Sequence, residues 1–164
     1  MMLFIQCVVF CLLFTLNILP AQYKDPIKMI MSYPPGIRKR VEELSQYKGT
    51  IKQKEKAHVG KKIFGLLFFV IVLAGIAYLS GCRSFGTTFV HVFTLFFVVN
   101  IYDMIVLDWG IFCHSKKLRI SGTEDMDKEY KDYMFHAKGA CVGIVLGLIV
   151  ALLSGGIIHI FAAA

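Results

Sequence analysis

The sequence predicts an all-α protein: a four-helix transmembrane bundle with an amphipathic interfacial helix in its first cytoplasmic loop. Three observations predict it. The chain is 57% hydrophobic with a mean hydropathy of +0.66, against roughly 45–50% apolar residues in a soluble domain. The excess is gathered into four blocks separated by charged segments. Those blocks fall at residues 1–19, 63–80, 87–107 and 137–161, close to the roughly 20 apolar residues needed to cross about 30 Å of hydrocarbon. The whole chain, 1–164, therefore reads as a single integral membrane domain.

The first block, MMLFIQCVVFCLLFTLNIL, has no basic residue ahead of its apolar run, and Leu19-Pro20-Ala21 is a poor cleavage site. Residues 22–62 carry eleven Lys and Arg against four acids. Basic loops stay inside, so the block reads as an uncleaved anchor with its N-terminus outside. Residues 20–62 are then the first cytoplasmic loop. Pro20, Pro26 and Pro34-Pro35 are expected to break its first half into turns. Beyond Gly36, the residues Ile37, Val41, Leu44 and Ile51 recur at helical spacing, with Arg38, Lys39, Arg40, Glu42 and Glu43 on the other face. That pattern fits a helix lying on the inner leaflet, its apolar face dipping inward and its cations meeting anionic headgroups.

Lys61 and Lys62 lead into the second block and anchor its cytoplasmic end. The connection GCRSFG is so short that the second and third blocks must be antiparallel neighbours. Tyr102 and Trp109 near the inner end of the third block suit the headgroup zone. The second cytoplasmic loop, 108–136, is more balanced, with five basic and six acidic residues through Met134. Within it Thr123 is placed to cap a short helix running to Tyr133. The last block leads to an uncharged end, so both termini lie outside and Arg83 is the one basic residue left there.

The fourth block carries Gly139, Gly143, Gly147, Ala151 and Gly155, a small residue at every fourth position. Such a stripe lets another backbone approach closely, and close packing is the main association energy in lipid. Its partner is either internal, with Ala77 and Gly81 of the second block offering a matching face, or a second copy or another membrane protein.

Polar residues inside a span ask for a reason. Asn100 and Asp103, three apart on one face, are the candidates for binding a proton or cation, and pairing of Asp103 with Lys61, Lys62 or Lys138 is the structural alternative. Asp108, His114 and His136, with Cys113 and Tyr133 close by, are the residues a metal at the cytoplasmic face would use. No H-x-x-x-H or H-E-x-x-H pair fixes two of them on one helical face, so no metal is assigned. The five cysteines form no C-x-x-C, so no disulfide framework or zinc knuckle is implied. There is no G-x-S-x-G, no phosphate-cradling loop, no cofactor motif and no nucleic-acid signature. The net charge of +7 is accounted for by inside loops touching the lipid bilayer.

Asp103 through Lys117, DMIVLDWGIFCHSKK, and Gly122 through His136, GTEDMDKEYKDYMFH, followed by the glycine-rich helix, resemble small bacterial multi-pass membrane proteins without an assigned activity. The resemblance implies an inner-membrane setting and supplies no site residues. The function expected is a non-enzymatic membrane component that binds lipid or a membrane partner. The alternatives are a small cation or proton transporter or channel subunit using Asp103, and a metal-dependent membrane enzyme.

Overall fold

The computed structural model describes residues 1–163, and their side chains except at 50, 52–59, 61, 62, 162 and 163. Helix makes up 83% of the chain, with no strand among the described residues. Helix α1 spans Met2–Lys24, α2 Pro35–Glu43, α3 Thr50–Leu79, α4 Phe85–Tyr102, α5 Asp127–Tyr130 and α6 Tyr133–Ala163. Three segments are long and apolar enough to cross a membrane: Met2–Lys24, Phe85–Phe112 and Asp127–Phe161. The apolar part of α3, Ile63–Leu79, is shorter. Phe4 (72% exposed), Phe64 (74%) and Ile160 (70%) are among many large apolar side chains facing outward, a surface that suits lipid and not water.

Local chemistry sets the boundaries. Pro20 does not end α1, contrary to expectation. The helix runs on to Lys24, because a proline costs a bond locally while the flanking turns still pair. Asp25 then stops it, and its carboxylate accepts from the Lys28 N–H at 3.2 Å, opening a 3₁₀ segment at Pro26–Ser32. Helix α2 ends at Glu43, one residue before Leu44, so Ile51 belongs to the next helix. Glu42, which reads as solvated, instead spans the gap. Its carboxylate accepts from Gly49 N–H at 3.1 Å and Ile51 N–H at 3.3 Å, a negative charge at the N-terminus of α3.

At the other end of α3, Gly81 adopts φ +91. Its N–H reaches the Tyr78 carbonyl and that of Cys82 reaches Ala77, each at 3.0 Å, the paired closure that needs a left-handed residue. Ser84 and Thr87 form a reciprocal capping box that starts α4. Asp132 caps α6 through Phe135 N–H at 2.9 Å.

The apolar cores are two. One lies among the long helices and holds Val70, Leu73, Ala77, Val92, Leu95, Val150 and Ala151. The other joins the two charged loops. It is built from Ile30, Tyr33, Ile37 and Val41 of the first, Leu118, Ile120 and Tyr130 of the second, and Phe112 at the end of the third span. The Tyr33 hydroxyl donates to the Leu118 carbonyl at 3.0 Å, and the Tyr33 ring meets Phe112 edge-on at 4.8 Å. Arg119 lies 3.8 Å from the centre of the Tyr130 ring and pairs with Asp127 at 3.0 Å.

The loops thus form a folded cap. Ile37 and Val41, expected to dip into lipid, are fully buried in its core. Thr123 does not cap a helix either. Its hydroxyl donates to Ile120 O and takes a hydrogen bond from Tyr130, both at 2.7 Å.

Packing among the long helices fixes their directions. Gln6 near the start of α1 donates to Ser80 at 2.8 Å, and Thr15 meets the Tyr102 hydroxyl at 2.8 Å. Tyr102 therefore sits between helices and does not point at headgroups. Helix α6 lies along α4, with Gly143 under Asn100, Gly147 under Phe96 and Gly155 against Phe85. Of the partners open to the stripe, α3 was the internal one considered, yet Gly143, Gly147 and Gly155 face α4. Val150, Ala151 and Ser154 meet α3, Ser154 donating to the Val70 carbonyl at 3.1 Å. Gly81 serves the turn, and Gly139 has nothing near it.

Candidate functional site

Helix α1 rests on α4 and departs from α3, although Gln6 and Ser80 tie the two near the α3–α4 turn. The departure leaves a cavity of about 490 Å³ between α1, α3 and α4, within the roughly 300–1,000 Å³ of ordinary ligand pockets. Phe10, Leu13 and Phe14 of α1, Phe69 and Leu73 of α3, and Leu95 and Phe96 of α4 form its walls. Leu13 and Phe69 are both well exposed, so the cavity opens sideways between α1 and α3. Its polar groups are Asn17, Asn100 and Asp103. All three lie toward the cap end of their helices.

Asn100 is held firmly. Its Nδ2 donates to the Ala140 carbonyl of α6 at 2.9 Å, and its amide occupies the space a side chain on Gly143 would need. Asp103 is different. Among the described residues its carboxyl has no hydrogen bond and no ion pair, while it lines the cavity. The expected pairing with Lys138 is not made, and the side chains of Lys61 and Lys62 lie outside the described residues.

Asp103 also begins a π-helix, Asp103–Phe112, which closes with Cys113 N–H on the Asp108 carbonyl at 2.9 Å. In an α-helix, residues five apart point about 140° away from each other. Bonding to the fifth residue back brings them close to one face. Asp103, Asp108 and Cys113 thereby fall close to one row, and Asp108 meets α6. There the Asp108 carboxylate lies 3.0 Å from Nδ1 of the buried His136, and the His136 ring packs edge-on to Phe112 at 5.1 Å.

His114 does not join that pair. Its Nδ1 donates to the Trp109 carbonyl at 2.9 Å, and Tyr133 lies 3.4 Å from its other nitrogen. Asp108 and His136 come together, then, and His114 stands apart. No group of three His, Cys, Asp or Glu is placed to hold a metal among the described residues.

The basic residues of α2 divide. Arg40, though exposed, is engaged by Gly122 O at 3.4 Å and Asp125 at 3.6 Å on the second loop, and Lys39 is exposed beside it. Outside the spans, burial raises the phenol pKa of Tyr33 above its ordinary range, with Tyr130 and Asp25 adding and Arg119 opposing. The sequence alone discloses neither the cavity, walled in part by Phe10 and Phe14, nor the cap, built around Tyr33 and Tyr130. No family model, curated protein or solved structure matches the chain.

Proposed function

We propose that the chain is a non-enzymatic, lipid-binding component of the cell membrane, with four antiparallel spans and a cytoplasmic cap. In this reading α1 and α4 run toward the cap and α3 and α6 away from it, leaving both termini outside. The contacts Gln6–Ser80, Thr15–Tyr102 and Gly155–Phe85 support those directions. The excess of Lys and Arg in residues 22–62 supports a cytoplasmic cap. The length of α3, 30 residues, supports a helix that crosses the membrane and continues into the cap. The interfacial role assigned to α2 narrows to its exposed face, where Lys39 can meet anionic headgroups.

One observation carries the lipid reading: a carboxyl, Asp103, with no partner among the described residues, at the polar end of an apolar cavity that opens sideways. A polar group in hydrocarbon without a partner is costly. An amphiphile relieves that cost, with its tail along the phenylalanine walls and its head at Asn17, Asn100 and Asp103. The test is lipid analysis of purified protein after extensive detergent exchange. Wild type is expected to retain an amphiphile at near one per chain, and Leu13→Trp at the cavity mouth to lose it. Absence of any retained amphiphile from folded wild type would overturn the reading.

That Asp103 has no partner among the described residues also favours a second reading, transport of a proton or cation through that carboxyl. The apolar walls beyond Asp103 offer an ion nothing to bind. Proteoliposome flux that is the same in wild type and Asp103→Asn would reject it.

A further inference from the structure

We infer that the cavity selects its amphiphile by a hydroxyl head, of the kind carried by a long-chain alcohol or a glyceride, and rejects heads bearing carboxylate or phosphate. This rests on the amphiphile-binding reading above. Among the described residues lining the cavity, Asp103 is the one that ionises, and none of them is Lys or Arg. An anionic head would find no cation there and would face a carboxyl.

The hydrogen-bonding inventory narrows the choice further. Asn100 has committed its Nδ2 to Ala140, so it turns an acceptor toward any ligand. Asp103 offers acceptors in its ionised form. Asn17 is exposed and its amide has no hydrogen bond among the described residues, so it brings both a donor and an acceptor. A hydroxyl donates once and accepts, which matches a carboxyl on one side and an amide N–H on the other. An ammonium donates three times and accepts nothing, so it would use only the Asn17 oxygen and leave that amide's N–H without a ligand partner. Its dehydration in an apolar setting also weighs against it.

The test uses the full chain in detergent and three photoreactive probes with the same saturated chain, ending in a hydroxyl, a carboxylate or an ammonium. Labelled peptides are mapped to α1, α3 and α4. The hydroxyl probe is expected to label cavity residues saturably, about tenfold above the carboxylate probe at equal concentration. In Asp103→Asn, which keeps the shape and removes the charge, carboxylate labelling should rise toward that of the hydroxyl probe. Asn17→Leu should lower hydroxyl labelling severalfold while the protein stays monodisperse.

Carboxylate or ammonium labelling of wild type as strong as that by the hydroxyl probe overturns the head-group assignment and leaves occupancy of the cavity standing. Failure of all three to label the cavity saturably in folded protein overturns the occupancy itself, and the inference with it.

Discussion

The amide of Asn100 occupies the space above Gly143. Its Cγ lies 2.9 Å from where a Cβ on that glycine would sit, and its Nδ2 holds the Ala140 carbonyl one turn away. Helices α4 and α6 are thus locked by a polar clasp that exists only because residue 143 has no side chain. Gly143→Ala should force the Asn100 side chain or the helices to shift, at a cost of about 1–3 kcal/mol. Gly139, in the same stripe, has nothing within 4 Å. Gly139→Ala should be neutral or slightly stabilising, since alanine is the better helix former. Thermal unfolding in detergent, followed by loss of the monodisperse peak, compares the two. Equal effects would show that the stripe acts as a uniform surface and not through Asn100. The clasp is internal, so oligomeric state should be unchanged by either variant.

A second local lock is the Asp108–His136 pair. With His136 nearly enclosed and Asp108 a quarter exposed, removing either partner strands a polar group where the long helices meet the cap. His136→Leu should cost about 1.5–3 kcal/mol, as expected for a hydrogen bond to a charged group. Asp108→Asn, which keeps a hydrogen-bonding oxygen, should cost less. The double variant should fall short of the sum of the singles, because neighbours in contact are non-additive. Strict additivity in the same unfolding assay would mean the two residues do not interact.

These two locks differ in how far the sequence discloses them. Apolar blocks and their flanking charges make the spans legible, because hydrocarbon imposes a length and a polarity that a single chain must carry. Amphipathicity, by contrast, says that a face is buried without saying in what. Ile37 and Val41 would show the same spacing beneath lipid as beneath Tyr33 and Tyr130. Asp103 and Asp108 project to different faces at α-helical spacing, and only the π-helix brings them into one row. The cavity has no sequence signature of its own. Phe10 and Phe14 read as lipid-facing until α1 is seen to part from α3. Asn100 and Asp103 are legible as polar residues in an apolar block, and the structure adds that Asn100 is satisfied by Ala140 while Asp103 has no partner among the described residues.

Tyr33 gives the cap a pH dependence whose sign is fixed. Its neutral phenol donates to Leu118 O, and burial is the main reason its pKa is raised. A raised pKa in the folded state favours the protonated form there. The stabilisation is fully present below the unfolded phenol pKa of about 10 and is lost as pH climbs from that value toward the folded pKa. Burial raises the Tyr130 phenol as well, so alkaline titration followed by phenolate absorbance should show these two tyrosines ionising late and together with loss of cap structure. Tyr33→Phe should shrink that late step by one phenol and lower stability at neutral pH by about 1 kcal/mol, the net worth of one hydrogen bond. An undiminished late step in Tyr33→Phe would assign it to other residues.

The orientation of the fold is open to direct labelling with a membrane-impermeant maleimide. Cys82 lies in the turn between α3 and α4, the end that bears Arg83 and sits opposite the cap. Lys39 is exposed on α2, in the cap. In intact cells, native Cys82 should react. In a Cys82→Ser background, Lys39→Cys should react only after the membrane is opened. Cys141 is exposed on α6 within an apolar stretch. A membrane-impermeant reagent does not reach a thiol surrounded by lipid, so Cys141 should contribute little in either case. The reverse pattern, with Lys39→Cys labelled from outside, would turn the protein over in the bilayer. It would also set its eleven basic first-loop residues against the bias that orients short charged loops.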